Sequence, residues 1–221
     1  MSGLFRMMTL KKNSQLICLI LFLLSLAITL TINARWLYVI DINQLGILDY
    51  LTLSKSELMK NYDQLMTYLN FFWVNPLQMV DFPVSESGAL HFYEVKRLFQ
   101  INYLVMLITL IPSVFLLKNK IKEKTLWQLV RPFTIVLSGL VVLLFFMATA
   151  FDTFFVKFHE VFFNNDAWIF DPVTDPIITV LPQDYFMHCF ILFFSLFVLF
   201  IVTFIIIGRI QLKRITKMDE H

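Results

Sequence analysis

Charge is scarce in this 221-residue chain: Asp, Glu, Lys and Arg make up only 15% of it, where a soluble domain carries about a quarter. Glycine is scarce too, with five residues, and none forms the glycine-rich loop that cradles phosphates. The two cysteines, Cys18 and Cys189, both fall in apolar runs with no CxxC spacing. That argues against a disulfide scaffold and against thiol redox chemistry, and reads both as small buried hydrophobes. GxSxG and HExxH are missing, so neither a serine-hydrolase elbow nor a zincin helix is present in the sequence. No internal repeat or low-complexity segment is evident.

Long apolar runs are what the chain does have. It is 58% hydrophobic, with a mean hydropathy of +0.74. Four runs, residues 16–32, 98–117, 133–150 and 185–208, approach the roughly 20 residues that cross a bilayer as helix. Lys11 and Lys12 precede the first run. The run is long for a signal sequence and no small-x-small site follows, so it reads as a retained helix. The expected fold is an all-α integral membrane protein of four transmembrane helices with a mainly helical extracytoplasmic cap. The expected division is 1–34, cytoplasmic N-terminus and first helix; 35–97, first part of the cap; 98–150, second and third helices with their loop; 151–184, second part of the cap; and 185–221, fourth helix and tail.

Loop charge gives the orientation. With both termini cytoplasmic, residues 1–15, 118–132 and 209–221 hold 12 of the 18 Lys/Arg but only 3 of the 16 Asp/Glu, the positive-inside bias. The basic KNKIKEK stretch at 118–124 fits such a loop.

Within the first cap piece, Ser54 to Glu57 reads as a capping box. Leu58, Met59, Tyr62, Leu65, Met66, Leu69, Phe72 and Trp73 then repeat at helical spacing, ending at Asn75-Pro76. Ser87 reads as the N-cap of a helix running through His91 into the second span, and Pro112 as a kink within that span. The segment after 150 should continue the third helix above the membrane until Asp171-Pro172 and Asp175-Pro176 break it into turns.

Of four histidines, His221 is terminal and inert on this reading. His188, at the outer end of the fourth span, is expected to tolerate replacement. His91 lies seven residues before the second span and His159 eight or nine after the third. If both stretches are helical, both imidazoles stand ~10–13 Å above the apolar slab. Antiparallel neighbours would bring them together. Asp152, Val156, His159 and Phe163 share one helical stripe; Phe154, Phe158 and Phe162 share another. Burial among rings lowers a histidine's pKa and favours the neutral base. The plainer alternative is an interfacial histidine among lipid-facing phenylalanines. The two histidines with Asp171 and Asp175 could be drawn as a zinc set, but carboxylates beside prolines read as turn and cap residues, so no metal is expected.

Two motifs then carry a resemblance. FxxFHxxFFxNxxWxxDPxxDxxIxxxP at 155–182 and ESGALHFYEVKRLF at 86–99 resemble the bacterial lipoprotein intramolecular transacylase family. That family more usually has Asp where Glu94 stands; residues 35–83 carry no matching signature. The resemblance implies an acyltransferase of the bacterial cell membrane, active at the extracytoplasmic face. It moves the sn-2 acyl chain of a lipoprotein's diacylglyceryl cysteine onto that cysteine's α-amino group, giving the lyso form. It makes His91 and His159 catalytic, one deprotonating the amine, the other stabilising the oxyanion and protonating the departing glycerol oxygen. Phe155, Phe158, Phe162, Trp168 and Tyr93 are then expected to build an aromatic pocket that excludes water. Asn165, Asp171, Asp175 and Glu94 are expected to bind substrate or orient the imidazoles. Lys96 and Arg97 face lipid headgroups or snorkel from the span end. The partners are a diacylglyceryl lipoprotein and membrane lipids; no cofactor and no nucleic acid is expected. The alternatives are an intermolecular acyltransferase or lipid hydrolase on the same histidines, or a non-catalytic membrane assembly protein. The spans are essentially uncharged, which counts against a proton-coupled transporter.

Overall fold

The computed structural model describes the backbone of residues 2–219 and the side chains of residues 13–49 and 51–217. His221 lies outside the described residues. Among the described residues seven α-helices follow one another: α1 (Ser2–Ile32), α2 (Arg35–Gln44), α3 (Lys55–Asn70), α4 (Glu86–Lys122), α5 (Val130–Thr149), α6 (Phe151–Phe162) and α7 (Gln183–Asp219), with 3-10 turns at Ile47–Tyr50, Leu126–Leu129 and Pro176–Thr179. No strand occurs among the described residues. Four helical stretches, in α1, α4, α7 and the stretch Leu126–Thr149, are long and apolar enough to cross a membrane. The chain is an all-α membrane protein, as its apolar runs predict.

The chain divides into two compact units. The first comprises residues 1–30, 103–149 and 192–221. Its interior is made of Leu19, Leu23, Ala27, Leu116, Leu129, Phe133, Phe197, Ile201 and Ile205. Leu107, Ile108 and Ile111 of α4 and Phe145 and Phe146 of α5 stay exposed. Such bare apolar faces suit hydrocarbon, where a helix satisfies its own backbone hydrogen bonds.

The second unit comprises residues 31–102 and 150–191 and carries every candidate site residue. The Ser54–Glu57 capping box forms as read, with Ser54 accepting from the Glu57 amide and Glu57 accepting from the Ser54 amide. The helix it starts ends at Asn70, five residues before Asn75-Pro76. Phe71 is already extended, and the Asn70 side chain folds back onto the Met66 carbonyl. The apolar pattern continues past the helix because Phe72 and Trp73 are exposed loop rings, not part of its buried face. The start of α4 also differs from the reading. Ser85, not Ser87, is the cap: its Oγ accepts from the Gly88 amide and its carbonyl from the Ala89 amide. Nor does α5 continue into α6; Ala150, at φ −151° and ψ 55°, interrupts the helix. Asp152 in the first turn of α6 suits a fresh N-terminus, where the helix dipole favours a carboxylate.

The unit's core is built around tyrosines. Tyr38 stacks on Tyr62 at 4.1 Å and meets Tyr185 edge-on at 5.1 Å. The hydroxyls are satisfied, Tyr38 donating to the Val180 carbonyl and Tyr62 and Tyr185 sharing a 3.2 Å bond. Beside them Asp41, fully buried, bonds His188 Nδ1 at 2.9 Å through Oδ1 while its Oδ2 has no hydrogen-bond partner among the described residues. His188 therefore holds α2 to the start of α7, which the sequence expectation of tolerance did not foresee. Replacing His188 with alanine strands a buried carboxylate, a change that costs about 3–5 kcal/mol. We expect the thermal midpoint of H188A in detergent to fall by roughly 6–20 °C; a midpoint unchanged from wild type would refute the lock.

Candidate active site

The two motifs meet within the second unit. His91 and His159 stand with ring centroids 5.9 Å apart and planes inclined by 35°. Both are buried, at 7% and 9% exposure. Phe163 packs against both, edge-on to His91 at 4.7 Å and 5.6 Å from His159. Trp168 stacks on His159 at 4.6 Å, Phe155 lies 4.4 Å from it and Phe158 5.6 Å. Phe170 closes the His91 side at 5.5 Å. The pair thus sits in an aromatic box, as the phenylalanine stripes suggest.

One hydrogen bond sets the chemistry of His159. Its Nδ1 lies 2.7 Å from the Phe155 carbonyl, one turn back on α6. A carbonyl only accepts, so Nδ1 carries the proton and, in the neutral ring, Nε2 carries the lone pair. Burial pushes the pKa of His159 below its ordinary value, and the bond to Phe155 only partly opposes that. The ring is therefore a neutral base near pH 7. For His91, Nδ1 is buried and has no hydrogen-bond partner among the described residues. A proton on either ring repels a second proton on the other at this separation.

The backbone beneath the site is pinned by Asp175, 2% exposed. Its Oδ1 accepts from the Ser85 amide, and its Oδ2 from the Ser85 and Thr174 hydroxyls. The loop after α6 is thereby tied to the N-cap of α4, two turns from His91. Gly88 makes this approach possible: a Cβ there would overlap the Asp175 carboxylate and press on the Phe170 ring. Asn165 makes the second tie. Its Nδ2 donates to Glu94 Oε1 at 2.8 Å, and its Oδ1 accepts from the Ala167 amide at 2.9 Å.

Other expected site residues lie elsewhere. Tyr93 is about 200° round α4 from His91 at 100° per residue. With Lys96, Arg97, Phe72, Asn75 and Gln100 it lines a separate hollow of about 320 Å³. Lys96 is buried, its ammonium donating to the Val74 carbonyl and Asn75 Oδ1 and lying 4.1 Å over the Tyr68 ring. That placement commits it to holding the 74–75 loop, so it does not meet headgroups. Phe162 touches Phe158 but neither imidazole, and is half exposed. Asp171 accepts from the Val173 amide in a turn. Among the described residues no three His, Cys, Asp or Glu side chains come together as a metal site. Sequence reasoning missed Phe170, Ser85 and Gly88 as site-building residues, and noted Phe163 only as a member of the His159 stripe.

The comparisons with known proteins bear on the fold and the family. The family model for "Lipoprotein intramolecular transacylase Lit" matches residues 14–186. The membrane-integral lipoprotein intramolecular transacylase Lit of Bacillus cereus is 28% identical, with a TM-score of 0.89 over 96% of this chain and 99% of that one. Two variants of the Bacillus cereus protein, one with a histidine changed to arginine and one with it changed to alanine, also match. The first gives a TM-score of 0.81 at 28% identity over 99% of this chain and 97% of that one. The second gives 0.82 at 27% identity over 98% of each. No curated protein matches in sequence. Fold and family together define an integral membrane acyltransferase. The chain belongs to the lipoprotein intramolecular transacylase family, and its substrate is a lipoprotein.

Two outcomes test the site's construction. His159 has a folded pKa below its unfolded value near 6.5, so between the two the unfolded chain binds more protons. Its share of stability is full above pH 6.5 and is lost as pH falls through the folded value. Thermal midpoints measured from pH 8 downward should decline below about 6.5, and less steeply in H159F. In G88A, the added methyl should cost about 1–3 kcal/mol, seen as a lowered midpoint at constant pH; unchanged stability would contradict the close approach of Asp175.

Proposed function

We propose that His159 is the base and proton carrier of the transfer and that His91 stabilises the oxyanion. The observation that carries this is the bond from His159 Nδ1 to the Phe155 carbonyl, which leaves Nε2 as the one basic nitrogen of that ring. The substrate is a lipoprotein whose N-terminal cysteine bears a diacylglyceryl thioether. Its α-amino group has a reference pKa of about 7.7–8.0, so the neutral amine is available near neutral pH.

The amine nitrogen attacks the sn-2 ester carbonyl of the same molecule. A nitrogen–carbon bond forms, and the carbonyl oxygen takes the electron pair. An N–H of His91 donates to that oxygen as its charge grows, the role of an oxyanion-hole donor. His159 Nε2 takes the proton from the attacking nitrogen. As the tetrahedral centre collapses, the carbon–oxygen bond to glycerol breaks and His159 returns the proton to the departing oxygen. The product is an N-acyl cysteine with a free glycerol hydroxyl, and the enzyme ends as it began. No acyl-enzyme is needed, which fits a sequence without a nucleophilic serine motif.

The aromatic box supplies the rest. Holding amine and ester in a near-attack ring can contribute up to ~7–11 kcal/mol. Phe155, Phe163, Trp168 and Phe170 leave little room for water around the imidazoles, and water attack would release fatty acid instead. The Lys/Arg bias of residues 1–15, 118–132 and 209–221 supports cytoplasmic termini, and with them a reading in which the histidines work at the extracytoplasmic face among membrane lipids.

Mass spectrometry of the N-terminal peptide of a diacylated lipoprotein, before and after incubation with the protein, tests the reading. Transfer leaves the total mass constant and creates an N-acyl-cysteine fragment ion. Loss of one acyl mass would indicate a hydrolase, and gain of one an intermolecular acyltransferase. H91A and H159A should each abolish the fragment while keeping most of the thermal stability; substantial activity in either overturns the two-histidine mechanism.

A further inference from the structure

The mechanism above gives the amine one partner, His159 Nε2, and leaves its remaining N–H and its charge unanswered. A cysteine α-amino group that spends part of its time as ammonium, and becomes cationic again as it attacks, needs an acceptor inside the aromatic box. The acidic groups of the two motifs and of α6 can be taken in turn. Asp175 is saturated by Ser85 and Thr174. Asp171 closes its own turn and Asp152 accepts from Gln183. Glu160 pairs with Lys157. Glu86 and Asp166 are exposed. Glu94 alone among them keeps a buried, unpartnered oxygen, Oε2.

Glu94 is also the one carboxylate placed for the task. It lies three residues after His91 on α4, the spacing that puts two side chains on one helix face about 5–6 Å apart at Cβ. Its Oε1 is held by Asn165, whose own oxygen is fixed by the Ala167 amide. Asn165 follows Phe163, the ring that touches both histidines. The carboxylate is thus clamped between the two motifs with one oxygen in use and one spare. No cation neutralises it: no salt bridge to Glu94 forms among the described residues, and the Lys96 ammonium is committed to Val74, Asn75 and Tyr68. A buried carboxylate oxygen with no donor carries a desolvation cost that an ammonium N–H would remove.

We infer that Glu94, fixed by Asn165, is the acceptor for the substrate's α-amino group and makes the enzyme selective for lipoproteins whose N-terminal cysteine is free. This inference rests on the proposed transacylation. Glu94 Oε2 accepts one N–H of the amine while its lone pair attacks the ester. It then stabilises the positive charge that builds on nitrogen before His159 removes the proton. An already N-acylated cysteine offers Glu94 a single amide N–H and no positive charge, so the product binds less well than the substrate and leaves.

Two inert probes test this. The first is a peptide beginning with S-dialkylglyceryl cysteine, whose ether-linked chains cannot transfer. The second is its desamino counterpart, with hydrogen in place of the amino group. At pH 7 the wild-type protein should bind the amine form at least about tenfold more tightly. In E94Q, whose amide oxygen still accepts from Asn165, that ratio should fall close to one with the thermal midpoint kept, and kcat/KM on the ester-linked substrate should fall by a similar factor. A wild-type protein that binds both probes equally, or an E94Q protein that keeps the preference, overturns the assignment. The wild-type comparison needs no substitution, so it decides even where E94Q fails to fold. Ester substrate converted to the lyso form without amine preference sinks this inference alone. No conversion of the ester substrate and no binding of either probe sinks the transacylase reading, and this inference with it.

Discussion

The meeting of the two histidine motifs depends on the buried carboxylate of Asp175. The two buried histidines, His91 and His159, stand 68 positions apart in sequence, on helices that share no local contact by chain proximity. What sets them face to face is a buried carboxylate on the loop after α6 that accepts three hydrogen bonds, two of them from the N-cap of α4. A buried carboxylate is costly unless its lone pairs are filled, and here the filling groups are the capping residue itself and a neighbouring threonine. The cost of burial is thereby turned into registry: the loop can be satisfied only where α4 begins. The Asn165–Glu94 bond repeats the device two turns along. The aromatic rings between these ties then have one way to close.

That arrangement explains why the histidines need so few polar neighbours. In water an imidazole has no fixed tautomer and solvates either protonation state. Packed among Phe155, Phe163 and Trp168, His159 loses the solvent that would stabilise its charge, and the Phe155 carbonyl selects which nitrogen keeps the proton. Tuning is accomplished by a backbone atom of the same helix, so it survives changes in the surrounding loops. A carboxylate–histidine pairing also exists in the unit, but it joins Asp41 to His188, where it fastens α2 to α7 within the tyrosine core.

Most of the fold was legible because the bilayer demands length and apolarity, and these are visible in one dimension. The spans, the capping box at Ser54 and the matching depth of His91 and His159 all follow from local pattern; the meeting of the two rings does not. What the pattern could not give depends on contacts distant in sequence. Ser87 reads as the cap on paper; Asp175 chooses Ser85. Tyr93 and Phe155 are equally plausible pocket rings until α4 is rotated into place. Phe72 and Trp73 extend an apolar repeat beyond the helix that generated it, since a repeat does not record where the backbone turns. Lys96 reads as a surface cation, and only the folded 74–75 loop reveals it as buried.

Gly88 shows how tightly these dependencies bind. The space that its missing side chain leaves is filled by the Asp175 carboxylate and bounded by Phe170. The dependence runs one way: a larger residue at 88 forces out the carboxylate, whereas without the carboxylate nothing requires position 88 to stay empty. Over evolutionary time position 88, 87 residues from its partner in the chain, can be filled only after the carboxylate has gone, so that a lineage with a side chain at 88 should be found to have lost Asp175.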